Sequence, residues 1–205
     1  MYLRNLEEKK ASVLATIEEQ GKLTDELKKQ IEAVMTMVAL EDLYRPYRPK
    51  RRTRATIAKE KGLELLAEIL RAQATTRTIE EEATAFVDAE KGVESVQDAI
   101  DGAKDILAEV YADDADYRTK LRAMTKESGS LVAKAKDQEA DSVYEMYYDF
   151  SEPIKKLVGH RILAINRGEA EKFLTVKIEA PRQEILLWLV KQIIGNMKHD
   201  SASYL

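Results

Sequence analysis

The sequence predicts a mainly α protein, a multi-helix bundle with helix-turn-helix-like packing and two or three short β-strands. Three observations predict it. Apolar residues recur at three- and four-residue spacing along most of the chain. Threonines and glycines stand where those stretches should begin and end. Clear alternation of apolar and polar residues is confined to 174–179, with a weaker alternation near 130–136. The chain has 205 residues, 44% hydrophobic and 34% charged, an ordinary balance for a globular protein with ample core.

The elements follow in order. Leu3, Leu6, Val13, Leu14 and Ile17 form one face of a first helix that Gly21 ends. Thr24 is an N-cap, and Asp25 and Glu26 suit a helix N-terminus. The helix that follows carries Leu27, Ile31, Val34, Met35 and Val38 on one face and is predicted to run to about Leu43. Pro46 and Pro49 stop it, since proline lacks the amide proton and restricts its predecessor, so 45–54 is predicted to be extended. Helical spacing resumes at about Ala55, pauses at Gly62 and continues through Leu63, Leu66, Ile69 and Leu70. Thr78 caps a short helix with Glu80, Glu81 and Glu82 in its first turn.

A helix from about Val93 to Val110 buries Val96, Ile100, Ala103 and Leu107, and another spans about Ala115 to Lys126, ended by Gly129. The strand signal Leu174-Thr175-Val176-Lys177-Ile178-Glu179 precedes Pro181, which suits the first turn of a last helix from Arg182 to about Asn196. Two domains are predicted: a helical one over 1–128, with the connector at 45–54, and a smaller one over 129–205 with the short strands.

Composition narrows the chemistry. With no cysteine there are no disulfides, thiolate metal sites or cysteine nucleophiles, which suits a reducing cytoplasm. Only His160 and His199 are available as histidine ligands, so neither a metal centre nor a cofactor is expected. No apolar run is long enough to span a membrane. The opening Met1-Tyr2-Leu3-Arg4-Asn5 is charged and amphipathic, unlike a signal peptide.

The net charge of −4 conceals an asymmetry. Arg45, Arg48, Lys50, Arg51, Arg52 and Arg54 make a local +6 with no acid among them. Between Ile79 and Asp116, thirteen acidic residues less Lys91 and Lys104 leave −11. The six cations, interleaved with Tyr44 and Tyr47, suit phosphate contacts with base stacking. They equally suit an internal clamp in which arginines pair with the acidic helices. In a mixed arrangement Arg45 and Arg48 pair inward while Arg51, Arg52 and Arg54 face solvent.

His160 and Arg161 open a helix, where amides and a cation can hold a phosphate, although His160 has no visible acid–base partner. Arg167-Gly168-Glu169 reads as a turn or a helix C-cap, with Arg167 as a weaker nucleic-acid candidate. Tyr144, Tyr147 and Tyr148 fall on one helical face and are expected in a core, as is Trp188. The acidic run reads as a solvated face, and no paired carboxylates carry a nucleophile or metal pattern.

Three runs together resemble one family. The run Leu40-Glu41-Asp42-Leu43-Tyr44-Arg45-Pro46-Tyr47-Arg48-Pro49-Lys50-Arg51-Arg52-Thr53-Arg54-Ala55-Thr56-Ile57-Ala58 closely resembles the signature of the Tex family. His160-Arg161-Ile162-Leu163-Ala164-Ile165-Asn166-Arg167-Gly168-Glu169 and the opening Tyr2-Leu3-Arg4-Asn5-Leu6-Glu7-Glu8-Lys9-Lys10 resemble it too, in the family's order. Val158-Gly159 departs from the more usual Pro-Ser pair.

The resemblance implies a bacterial transcription accessory or RNA-binding protein. It also implies further helices upstream, making Met1 a start added to an excised fragment, and downstream RNase H-like, helix-hairpin-helix and C-terminal OB-fold domains. The expected role is therefore a non-catalytic, monomeric helical scaffold in the cytoplasm. Its partners would be RNA or DNA, through phosphate contacts, and the transcription machinery. A purely structural or protein-interaction module is the alternative. Nuclease chemistry would need clustered carboxylates holding divalent metal, and those would belong to the RNase H-like domain.

Overall fold

The computed structural model describes residues 1–49 and 51–205. Among them are ten α-helices: α1 (Tyr2–Glu19), α2 (Asp25–Ala33), α3 (Met37–Tyr44), α4 (Arg54–Glu60), α5 (Glu64–Ala72), α6 (Ile79–Thr84), α7 (Val96–Asp113), α8 (Ala115–Ser128), α9 (Gly159–Ala170) and α10 (Arg182–Ile193). Strands β1 (Ser130–Ala135), β2 (Asp149–Pro153) and β3 (Leu174–Glu179) form one antiparallel sheet in the order β2-β1-β3. The protein is thus mainly α with three short strands. The chain divides into two compact units, residues 1–119 with 190–205, and residues 120–189. No helix among the described residues is long and apolar enough to cross a membrane.

In the first unit, Leu6, Val13 and Ile17 of α1 are buried with Leu27 and Ile31 of α2 and Leu40 of α3. Lys10 lies on the same stripe at 6% exposure. Its ammonium donates to Glu7 Oε1 at 2.8 Å and to the Glu32 carbonyl at 2.9 Å, which offsets its desolvation. The single helix predicted over 25–43 is two helices. Val34 turns extended, and Thr36 Oγ1 accepts from the Ala39 amide at 3.3 Å to start α3 afresh. The break removes Met35 and Val38 from the predicted buried face, and they are 71% and 54% exposed.

A second core in this unit joins α4, α5, α6 and α7 through Ala58, Leu63, Leu66, Leu70, Ile79, Ile100, Ala103 and Leu107. Gly102 permits the close approach, since a Cβ there would fall 2.4 Å from Leu63 Cδ1. Helix α6 opens with the predicted Thr78 cap, completed by Glu81 into a reciprocal capping box. Helix α7 starts at Val96 under a Ser95 cap, later than predicted, because Val93 is buried in a bridge to Asp88. The terminal residues return to α6, where Asp200 Oδ2 accepts from the Ile79 amide at 2.7 Å and the Tyr204 hydroxyl donates to Glu80.

In the second unit, Ala133, Tyr144, Tyr147, Ile165 and Leu174 form the core. Tyr144 and Tyr147 are buried and Tyr148 half-buried, but not on the α-helical face predicted for them. The segment is a turn and a 3-10 helix, Glu145–Tyr147, leading directly into β2. Gly168 is neither a turn nor a C-cap. It lies buried within α9, where a Cβ would sit 2.7 Å from Leu174 Cδ1 and 3.1 Å from Tyr144 Cδ1. Helix α10 has no fully buried residue, and Trp188, expected in a core, is half-buried.

Candidate nucleic-acid interface

The basic connector is not extended from its first residue. Arg45–Tyr47 make one 3-10 turn, with the Arg48 amide donating to the Tyr44 carbonyl at 3.0 Å. Pro46 fits because the first turn of a helix needs no donor at that position. Arg48 is extended, and Thr53 caps α4 by accepting from the Thr56 amide at 3.1 Å. Gln20 Nε2 donates to the Tyr47 carbonyl at 2.8 Å, and the half-buried Tyr47 ring packs against the α1–α3 core. Both ends of the segment are thus fixed by packing and caps.

The cations divide into three groups. Arg45 Nε donates to Asp113 Oδ1 at 2.7 Å, and the Asp113 side chain is only 9% exposed. Arg54 reaches Asp105 at 3.5 Å, and Thr53 Oγ1 donates to Glu109 at 2.9 Å. Asp105, Glu109 and Asp113 stand four residues apart on α7, so one helical stripe of carboxylates faces the connector. Arg52 forms an exposed pair with Glu60 at 2.6 Å. Arg48 and Arg51 are exposed, and among the described residues neither has a carboxylate within ion-pair distance. The mixed arrangement therefore holds except at Arg48: Arg45 pairs inward and Arg51, Arg52 and Arg54 face solvent, Arg52 and Arg54 with carboxylate partners, but Arg48 does not pair inward. Lys50 lies outside the described residues.

Arg45, Arg48 and Arg51 come together at one cavity of about 450 Å³, with Glu41 and Asp42 of α3 and Arg118 of α8. Arg118 Nε donates to Asp42 Oδ1 at 2.7 Å, and Asp42 is 4% exposed. Glu41 faces Lys9 at 3.7 Å. Four guanidiniums against two carboxylates leave the lining at +2. Sequence reasoning did not find Arg118. Nothing near it marks it, because its partner lies 76 positions away.

The other predicted residues, His160, Arg161 and Arg167, all lie on α9 in the second unit. Val158 occupies the N-cap position of α9 and offers no side-chain acceptor. His160 is exposed in the first turn and Arg167 exposed in the last. Arg161 Nη1 donates to Glu152 Oε1 of β2 at 2.5 Å, and that carboxylate pushes the guanidinium pKa further up. Arg161 thus ties α9 to the sheet and does not join the other two in a cation cluster.

A sequence model described as Tex central region-like matches residues 74–198. The chain is 44% identical over 198 residues to the uncharacterised protein YdcI of Bacillus subtilis, covering 95% of this chain and 28% of that protein. It is 41% identical over 181 residues to the transcriptional accessory protein Tex of Neisseria gonorrhoeae, covering 87% and 23% respectively. It is 30% identical over 201 residues to the human S1 RNA-binding domain-containing protein 1, covering 92% and 20%. The chain therefore spans only 20% to 28% of the length of these relatives.

Proposed function

The chain belongs to the Tex family, and from that premise we propose that it is a non-catalytic helical scaffold region of a cytoplasmic nucleic-acid-binding transcription accessory protein, contacting RNA or DNA phosphates through the connector. The observation that carries the reading is the pair Arg48 and Arg51, exposed on an anchored segment and without a carboxylate partner among the described residues. An exposed guanidinium without a carboxylate partner gains charge-assisted hydrogen bonds from a phosphate at small entropic cost, more than one whose whole fork is engaged within the fold. The names of the relatives, one a transcriptional accessory protein and one an S1 RNA-binding domain protein, support the nucleic-acid side of the reading. His160 and Arg167 are secondary contacts in this proposal, and no group in it performs chemistry.

The pairing of Arg45, Thr53 and Arg54 with α7 favours a second reading, a purely structural module that docks to other domains or to the transcription machinery. One experiment separates them. The chain and its Arg48→Glu/Arg51→Glu variant are titrated into labelled single-stranded RNA and duplex DNA by fluorescence anisotropy at several salt concentrations. On the first reading the wild type binds with a negative salt slope, and the variant loses roughly 1 to 2 units of log–log slope, about 0.9 per phosphate on duplex. Equal slopes, or no binding by either protein at low salt, leave the structural module.

A further inference from the structure

We infer that the cavity between the connector, α3 and α8 is a discrete pocket for one phosphate group, with Arg48, Arg51 and Arg118 as its ligands and Asp42 as the residue that positions Arg118. The inference rests on the phosphate-contacting reading above and adds to it a defined site with its own stoichiometry.

Shape and charge carry the argument. The cavity holds about 450 Å³, within the roughly 300 to 1,000 Å³ of small-ligand sites. Both carboxylates of its lining already face cations: Glu41 faces Lys9 at 3.7 Å, and Asp42 accepts from Arg118 at 2.7 Å. Asp42 is 4% exposed, so it holds Arg118 from behind instead of presenting a repelling charge at the opening. Arg118 donates through Nε to Asp42 and through Nη1 to the Ala112 carbonyl at 3.4 Å, and no bond to Nη2 is formed among the described residues. The side chain, 33% exposed, keeps that nitrogen for a ligand. Arg45 is oriented in the same manner by Asp113. Arg48 and Arg51 then supply unpaired forks from a backbone that Gln20 and two prolines restrain. Two guanidiniums fixed by buried acids and two left unpaired make a preorganised anion site and not a diffuse basic surface.

A phosphodiester within a strand and a free or terminal phosphate share this chemistry, and calorimetry distinguishes them. The folded chain is titrated at matched ionic strength with inorganic phosphate, with a uridine dinucleotide lacking a terminal phosphate, and with its 5′-phosphorylated form. Saturable binding at one site per chain is expected for at least one. Binding of the unphosphorylated dinucleotide assigns the pocket to a backbone phosphodiester, and binding only of inorganic phosphate or the 5′-phosphorylated form assigns it to a free or terminal phosphate. Arg118→Lys keeps the charge facing Asp42 but not the fork and should weaken binding about tenfold. Arg48→Ala/Arg51→Ala, both at exposed positions, should weaken it further with an unchanged circular dichroism spectrum. If Arg118→Lys binds as the wild type does, or no probe saturates, the pocket is refuted. The wider reading then stands or falls separately on the salt slopes of the Arg48→Glu/Arg51→Glu variant.

Discussion

Arg118 of α8 and Asp42 of α3, 76 positions apart, meet in a charge-assisted hydrogen bond of 2.7 Å. The carboxylate is 6% exposed and the guanidinium side chain 33%, so the bond is sheltered on the acid's side and open on the cation's. Replacing Asp42 by alanine removes that acceptor from Arg118. An unfolding free energy lower by about 2 kcal/mol is expected, below the 3–5 kcal/mol of a fully buried pair because Arg118 retains water. Urea denaturation measures it, and a change under about 0.5 kcal/mol would show that the bond contributes no stability.

Gly168 and Gly159 sit on the same helix and should respond oppositely to alanine. At Gly168 the new methyl meets Leu174 Cδ1 at 2.7 Å and Tyr144 Cδ1 at 3.1 Å, and Leu174 is fully buried. Overpacking of this kind costs about 1–3 kcal/mol, against a helix-propensity gain of about 1 kcal/mol. A Cβ at Gly159 meets nothing within 4 Å, so only the propensity gain remains there. Thermal melts should show Gly168→Ala below the wild type and Gly159→Ala equal to it or above it.

The Tyr204–Glu80 bond makes docking of the C-terminal residues depend on pH. Glu80 as acceptor, with burial adding to it, pushes the Tyr204 hydroxyl up from 10.0 to about 12. Its contribution is complete below pH 10 and is lost as pH rises towards 12. The Tyr204 hydroxyl in turn lowers the Glu80 carboxyl below its ordinary 4.5, so that group's contribution is present above this value and is lost as pH falls through the lowered pKa. Stability of Tyr204→Phe should run parallel to wild type between pH 6 and 9. Above pH 10 the wild type should fall more steeply, and equal slopes there would refute the assignment.

Asp200 terminates α6 from 121 positions away, its Oδ2 accepting from the Ile79 amide at 2.7 Å. A carboxylate at a helix N-terminus satisfies an otherwise unpaired donor and meets the positive end of the helix dipole. Asp200→Ala should cost about 1 kcal/mol. Hydrogen exchange should then quicken at Ile79 before it changes in α7; protection lost evenly across the unit would contradict a local role.

Much of the fold is legible because it is written in short-range contacts. Thr24 and Thr78 cap helices by bonding amides three residues ahead, at 3.2 Å in both cases, so a threonine ahead of acids suffices to find them. Thr36 does the same at 3.3 Å, yet Val34, Met35 and Val38 continue the helical period across it and hide the break. Strand β2, Asp149–Pro153, has too little alternation to be seen, and it is a strand because β1 pairs with it at Val132↔Ser151. Gly168 reads as punctuation in the chain, but its reason is a neighbour, Leu174, that the helical spacing does not reveal.

The candidate interface divides in the same way. Its charge, its tyrosines and its resemblance to one family depend on residue identity and order, and all three are visible between Leu40 and Ala58. Which cations remain available for a ligand is a different matter. Arg45 meets Asp113 across 68 positions and Arg118 meets Asp42 across 76, while Arg48 and Arg51 between them meet no carboxylate among the described residues. An ion pair depends on distance and burial, both set by how α3, α7 and α8 pack, and no local pattern encodes either. Order along the chain thus settled the family and the helices, and packing alone separated the arginines that pair with buried acids from those without a carboxylate partner.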